Sequence, residues 1–554
     1  SSQLACSIGG NVAENAGGVH CLKYGLTVHN IVGLKVITID GHVHTLGNNT
    51  LESPGYDLTA LMNGSEGMLA MITEIRVRLR VKPPIVRVIL AAFDDIEQAG
   101  NAVSTIIKAG IVPAGLEMMD GDAIKAVEDF AHAGYPLDAQ AILLCELDGL
   151  EAEVNAQIET VTALLNEQGA TEVRTSRDDQ ERMRFWAGRK SAFPAVGRIS
   201  PDYYVMDGTI PRAALGTVLK QIGAWSKEIG LSVANVFHAG DGNLHPLILY
   251  NGNIPGEVEK AEELGLRILT LSVELGGSIT GEHGVGVEKL DAMCDQFNSD
   301  ELALFHALKE AFDPHSLLNP GKAVPSLHRC AELGAMHVHN GKLTFPELDR
   351  FYPCNSGLNK TRNSNIDISE KLQKQIIDAV HDNQALQIIG NNTKAFYGRK
   401  DIDQSETRTL PLHVAEHSGI LDYQPTELTV TARAGTPLSE IIGTLAEHQQ
   451  MLPFEPPVFE NKATLGGCVA SAMTGPRRPW TGAVRDYLIG TRILTGEGKE
   501  IRLGGKVMKN VAGYDLFRPM AGALGTLGLM LDITLKLLPL PEREGCYYML
   551  TDTN

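Results

Sequence analysis

No two cysteines in this chain stand in a CxxC arrangement. The eight present, Cys6, Cys21, Cys145, Cys294, Cys330, Cys354, Cys468 and Cys546, lie far apart. That layout excludes a disulfide scaffold, a zinc ribbon and an iron–sulfur cluster of the chain's own, and points to a reducing, cytoplasmic setting. No run of about 18 or more apolar residues occurs, and no basic stretch followed by an apolar one opens the chain, so neither a membrane span nor a signal peptide is legible. Positive charge is scarce as well: 48 Lys and Arg against 67 Asp and Glu leave a net charge of −19. Such a balance argues against nucleic-acid phosphates or an anionic membrane surface as the main partner. What is there is length, 554 residues, enough for about three or four folding units at roughly 150 residues each.

The chain writes nearly the same passage twice. "GYDLTALMNGSEGMLAMITEIRVRL" begins at Gly55 and "GYDLFRPMAGALGTLGLMLDITLKL" at Gly513. Upstream, "GGNVAENAGG" from Gly9 pairs with "GGCVASAMTG" from Gly466, and Gly25, Gly33 and Gly41 pair with Gly482, Gly490 and Gly498. Between the glycines both copies read as short apolar strands closed by Gly-containing turns, so one fold is expected twice. Matched glycines either make tight turns or let a backbone approach a flat or phosphorylated ligand closely. Ahead of the second copy stands "LQIIGNNTKAFYGR", a strand running into a polar loop of Gly390, Asn391, Asn392, Thr393, Lys394 and Arg399. Its N–H groups and amides could cradle a pyrophosphate, although it matches neither GxGxxG nor a Walker motif. The first copy has no such loop before it, and the chain opens at Ser1 inside the motif, so a truncated first copy is expected.

The middle changes character. "IVRVILAAFDDIEQAGNAVSTIIKAGI" and "AILLCELDGLEAEVNAQIETVTALLNEQGATEV" each read strand, amphipathic helix and turn, which fits an antiparallel α+β unit of ferredoxin-like type. Within it, "VFHAGDGNLHPLIL" is a strand, a Gly-Asp-Gly turn and a return segment bearing a second histidine. His238 and His245 can converge on one ion from the two sides of such a hairpin. "GGSITGEHGVG" adds Glu282 and His283, and a His, His, carboxylate set leaves coordination positions open, as a catalytic divalent site needs. Core or surface histidines remain the plain alternative. Arg189 in "FWAGRKSAF" is the cation expected to hold a substrate carboxylate, because guanidinium matches carboxylate bidentately; a surface ion pair is its alternative.

The ordered strings "GNNTKAFYGR", "GGCVASAMTGPRRPWTGAVRDYLIGTRILTGEG" and "GGKVMKNVAGYDL" resemble the FAD-binding domain of vanillyl-alcohol oxidase type, in the form found in the E subunit of bacterial glycolate oxidase. Residues 1 to about 350 resemble the D subunit of the same enzyme family. The resemblance implies an α+β chain laid out as the second half of an FAD domain (1–85), a substrate and metal cap (86–325), a tail and linker (326–366), a second FAD domain (367–540) and the start of a further region (541–554) that stops before a full E subunit would. It implies FAD near Gly9, Gly10, Asn11, Asn15, Gly17, Gly18, Gly25, Gly67 and Asn319 in the first unit. In the second it implies FAD near Gly390, Asn391, Asn392, Thr393, Lys394, Gly466, Gly467, Gly475 and Arg485. HxGDGNxH followed by GEHGxG is the pattern that binds a divalent metal (Zn, Mn or Fe) in FAD-dependent D-2-hydroxyacid dehydrogenases, which carries the ligand role to His238, His245 and Glu282 and the base role to His283. Where 2-hydroxyglutarate-oxidising relatives have a lysine, this chain has Val205, which fits a substrate without a distal carboxylate.

The activity implied is oxidation of glycolate to glyoxylate. Electrons would pass to an iron–sulfur partner subunit and a quinone-type acceptor, in a cytoplasmic complex held at the inner face of the inner membrane. A D-lactate dehydrogenase of the same superfamily and a non-catalytic flavoprotein scaffold are the alternatives. The stretch from Ser326, which holds His328, His337 and His339, reads as linker rather than as a metal site.

Overall fold

The structure, a computed structural model, describes residues 6–48, 50, 55–326, 365–398 and 409–545. Arg399, the histidines at 328, 337 and 339, and most of the expected linker lie outside the described residues.

The repeat is a repeat of backbone. In the first copy Ile31–Ile37 lies between Val43–Gly47 and Met71–Val77 in a three-stranded antiparallel sheet. In the second, Leu488–Leu494 lies between Glu500–Gly504 and Leu529–Lys536, and Thr429–Arg433 and Ile420–Gln424 extend the sheet to five strands. Register is kept: Gly33 pairs with Gly47 as Gly490 pairs with Gly504. The irregularities at Ile31/Gly33 and Lys35/Val36 recur at Leu488/Gly490 and Arg492/Ile493. The short helix before each sheet starts alike, with Ser7 capping the N–H of Gly10 and Thr464 that of Gly467. A bulge re-aims a strand and a cap satisfies an orphan donor, so both are costly to lose and persist through divergence.

The copies face one another. His29 Nε2 lies 3.1 Å from the carbonyl of Asp486, its own counterpart 457 residues on. A residue touching its counterpart is the mark of a two-fold relation. Asp57 pairs with Arg485 at 3.1 Å, and Arg78 donates to the Pro479 carbonyl at 3.1 Å. The cores interlock too, for Leu22 belongs to the core of the second copy and Tyr514 to that of the first.

The middle unit is one seven-stranded antiparallel sheet in the order Glu172–Thr175, Ile85–Phe93, Ala141–Gly149, Gly115–Asp120, Val233–Phe237, Pro246–Tyr250, Asp202–Val205. Its first four members, fourth–first–third–second in chain order, form the ferredoxin-like half. "AILLCEL" reads as an unbroken apolar run because both sheet faces are covered: Leu143, Cys145 and Leu147 pack into one core, Ile142 and Leu144 into the other. Helix Asp179–Lys190 lies on the second face and buries Phe185, Trp186 and Arg189 there. Among the described residues no helix is long and apolar enough to cross a membrane.

Candidate active site

Strand parity decides where the histidines point. Side chains alternate faces along a strand. Ala234 and Val236 pack on the second face, so His238 follows them; Leu247 and Leu249 pack there too, so His245 precedes them. The hairpin pairs Pro246 with Asn235 and Leu247 with Ala234, and His238 bridges to Asn243. The turn between closes at Gly242, with φ +73° and a Cβ direction that runs into the Ile210 carbonyl, a place for glycine only. The two rings end 4.9 Å apart, centroid to centroid.

The third ligand arrives on a loop wound round one carboxylate. Asp207 Oδ2 accepts from the Thr280 hydroxyl (3.1 Å) and from the N–H groups of Gly281 (3.1 Å), Glu282 (2.8 Å) and His283 (2.8 Å), while Oδ1 pairs with Lys289. Burial alone would raise Asp207, but the Lys289 charge holds it down to about 2. Glu282 Oε1 thereby stands 3.2 Å from His238 Nε2 and 3.3 Å from His245 Nε2.

This donor set fits a divalent metal. One ligand atom from each of His238, His245 and Glu282 lies within 4.8 Å of the others, and all three residues are buried. Neither ring nitrogen of His245 has a well-aligned hydrogen-bond partner, and burial pushes that imidazole down to about 3, keeping it in the neutral form that ligates. Behind His238, Glu117 takes Nδ1 at 2.7 Å and so aims Nε2 inward, the usual support of a metal-ligating histidine. Burial opposes the charge on Glu117, but His238 and Arg189 hold it down to about 2. His283 stacks on His245, centroids 5.0 Å apart and planes at 6°, with Nε2 3.6 Å from Glu282 Oε1; its side chain is 43% exposed, unlike the three it borders.

Arg189 is fully buried one layer back, with Nε and Nη2 each 2.8 Å from Glu117 Oε2; its Nη1 has no hydrogen-bond partner. Gly17 abuts the site, where a Cβ would fall 2.6 Å from Glu282 Oε2. Lys509, from the second copy, reaches in beside it, its Cε 3.2 Å from where that Cβ would stand.

The expected flavin positions divide into several groups. Around the second copy, Gly390 faces Thr464, and the Lys394 ammonium lies 3.8 Å from where a Cβ of Gly467 would stand. Burial lowers Lys394, and among the described residues no carboxylate pairs with it, a fit for a phosphate's charge. Asn391 donates to the Lys462 carbonyl, and Asn392 and Thr393 form the turn between. Gly466 and Gly475 pack against Ala434 and Glu455. Arg485 is engaged by Asp57 at the junction of the copies. In the first copy, Gly9, Gly10 and Asn11 lie in the capped helix, Gly18 offers its carbonyl to Lys509, and Gly25 packs on His29. Asn15 accepts from the Val28 N–H, and Asn319 donates to the Glu66 carbonyl beside Gly67.

Sequence reading passed over Glu117, Lys509 and Asp207. Each left a trace: an acid in the apolar run "GLEMMDG", a lysine in only one of the two repeats, and an acid flanked by apolar residues and glycine.

A ferredoxin-like cap over repeated flavin-domain backbone, with a His, His, Glu set inside it, defines an FAD-dependent oxidoreductase. Residues 82–323 match the model of the FAD linked oxidases, C-terminal domain, and residues 1–47 and 369–504 that of the FAD binding domain. The chain is 66% identical over 351 residues to glycolate oxidase subunit GlcD of Escherichia coli K12, covering 63% of this chain and 70% of that one. To subunit GlcE of the same organism it is 51% identical over 176 residues, 32% of this chain and 49% of that one, so it spans about half the length of that relative. The D-lactate dehydrogenase of Anaerostipes hadrus is 30% identical over 325 residues, 57% of this chain and 68% of that one. The chain belongs to the FAD-linked oxidase family of the glycolate oxidase D subunits.

Proposed function

We propose that this chain oxidises glycolate, or a similarly small D-2-hydroxy acid, to the 2-keto acid. The observation that carries the reading is the convergence of His238, His245 and Glu282 with the more exposed His283 stacked beside them. A bound divalent metal supplies Lewis-acid polarisation of the hydroxy acid, and bound FAD supplies the hydride acceptor. His238, His245 and Glu282 would hold the metal. Gly390, Lys394 and Gly467 would hold the flavin phosphates of the second copy.

The chain's own residues do the rest. His283 takes the proton from the substrate hydroxyl, placed for it by Asp207, which grips its backbone N–H. Arg189 offers the unpartnered Nη1 to the substrate carboxylate while Glu117 fixes its other face. Val205, packed against an apolar cluster, leaves no cation for a distal carboxylate, which supports a two- or three-carbon acid. Electrons then leave through an iron–sulfur partner subunit to a quinone-type acceptor, in keeping with the pairing of D-like and E-like sequence in one chain. A cytoplasmic location, with the assembly resting on the membrane's inner face, accords with this route.

The test is anaerobic mixing of the flavin- and metal-loaded protein with glycolate or D-lactate, followed by visible flavin absorbance. Glycolate should bleach the flavin fastest, and His283→Ala should slow bleaching about a hundredfold or more with flavin still bound. Faster bleaching by D-lactate would move the reading to a lactate dehydrogenase; no bleaching by either acid would favour a scaffold.

A further inference from the structure

Lys509 is the residue of the second copy that enters the first unit's cap. It is wholly buried, and its Nζ lies 2.9 Å from Glu282 Oε2, 3.1 Å from Asp241 Oδ2, 3.3 Å from the Gly18 carbonyl and 3.4 Å from Asn243 Oδ1. Every one of these partners is an oxygen, as for a bound cation. The neighbouring backbone is pinned independently of that charge. Val511 N–H donates to the Thr280 carbonyl at 3.2 Å, and Asn510 Oδ1 accepts from the Ser278 hydroxyl at 2.8 Å.

Charge balance gives the contact its meaning. Among the described lysines and arginines only Lys509 forms an ion pair with the buried Glu282 and Asp241, since Arg189 is taken by Glu117 and Lys289 by Asp207; Lys536 acts on Asp241 without such contact, and His238 borders Glu282 at 3.2 Å. A second oxygen of Asp241, Oδ1, is buried without any partner. Two buried carboxylates with no counter-charge are prohibitively costly, whereas an ammonium or a divalent ion meets the need. Glu282 cannot give full charge to both, because a dication a few ångströms from Nζ repels it in a low-dielectric interior.

We infer that Lys509 is a built-in counter-cation of the metal site. Its ammonium holds Glu282 in the metal-free chain and must yield when the divalent ion enters, so the second flavin unit sets the cap's metal affinity. The inference rests on the metal reading of His238, His245 and Glu282. It gives the second copy a part in the first copy's site beyond carrying a flavin. The sequence offers a parallel: the first copy has no lysine at the matching place, where Leu51 and Glu52 stand, both outside the described residues.

Two measurements on the full chain test it. In the first, Mn(II) affinity is measured by equilibrium dialysis for the wild type, Lys509→Met and, as a control for the ligand set, His245→Ala. Lys509→Met should bind Mn(II) about tenfold or more tightly than wild type, and His245→Ala should not bind it. In the second, the wild-type chain is treated with an amine-acylating reagent with and without saturating Mn(II), and peptide mass spectrometry reads Lys509. Labelling should be negligible without metal and rise with it. Equal or weaker Mn(II) binding by a folded Lys509→Met, or stoichiometric binding to the wild type with Lys509 still protected, overturns the inference and leaves the metal reading standing. Should Lys509→Met fail to fold, the labelling result decides alone. Absence of Mn(II) binding to both wild type and Lys509→Met overturns the metal reading and the inference with it.

Discussion

The two copies of the repeat share a backbone down to their caps and bulges, yet their glycine loops have different neighbours. In the first copy Gly17 packs on Glu282, so the loop forms a wall of the cap's His, His, Glu site. In the second the matching loop ends at Gly475 against Glu455, and the helix before it faces Gly390 and Lys394 instead. What the difference teaches is that the repeated segment is scaffold. Most of its chemistry comes from sequence outside the repeat, the cap in one case and the loop at Gly390 in the other, while Lys509 of the second copy reaches the cap's Glu282.

The most damaging way to break the difference is to dissolve the loop that carries Glu282 against Gly17 of the first copy. Asp207→Ala strips the acceptor from the N–H groups of Gly281, Glu282 and His283 and leaves Lys289 buried without its partner. A loss of about 3–5 kcal/mol of stability is expected by denaturant titration.

A second asymmetry is acidic. Glu14 of the first copy sits against Gly284 with Oε2 unpartnered, and burial, with Glu66 nearby, raises its pKa from 4.5 to about 7. Below the lower value the carboxyl is neutral folded and unfolded; between the two only the unfolded chain ionises, so stability falls as pH rises and stays reduced above about 7. Glu14→Gln should flatten that fall and leave the protein about 2 kcal/mol more stable at pH 8, allowing for partial exposure, in a stability–pH series.

Where the copies agree, matched changes should cost alike. Gly47 and Gly504 have φ of +69° and +73°, and a Cβ at either would collide with a carbonyl across the strand pair, Val32 or Ile489. Gly47→Ala and Gly504→Ala should each cost about 1–2 kcal/mol, the second somewhat more because Phe517 also lies in the way. The smallest effect belongs to the caps. Ser7→Ala and Thr464→Ala should each cost about 1 kcal/mol in thermal unfolding, with Thr464→Ala alone weakening flavin retention, since Thr464 faces Gly390.

Much of this was legible in the sequence for a physical reason. Glycine spacing survives divergence because turn and bulge geometry admits little else, and "VFHAGDGNLHPLIL" placed both histidines because strand parity is fixed by the apolar residues beside them. Arg485 shows the limit: the string around it signals a flavin domain, but its guanidinium is engaged by Asp57 from a segment 428 residues earlier in the chain, and no local pattern announces such a pairing. Glu117 and Lys509 escaped for the same reason, since their partners lie on other elements and their meaning appears only when charges are counted in space.

The division of labour between the two surroundings is tested most directly by quantifying bound flavin and bound divalent metal together in Lys394→Ala and His245→Ala, at saturating FAD and Mn(II). Lys394→Ala should lose flavin from the second copy and keep its metal, and His245→Ala should lose metal and keep its flavin. If either variant loses both groups, or Lys394→Ala keeps a full complement of flavin, the assignment of metal to the cap and flavin phosphates to the Gly390 loop is wrong.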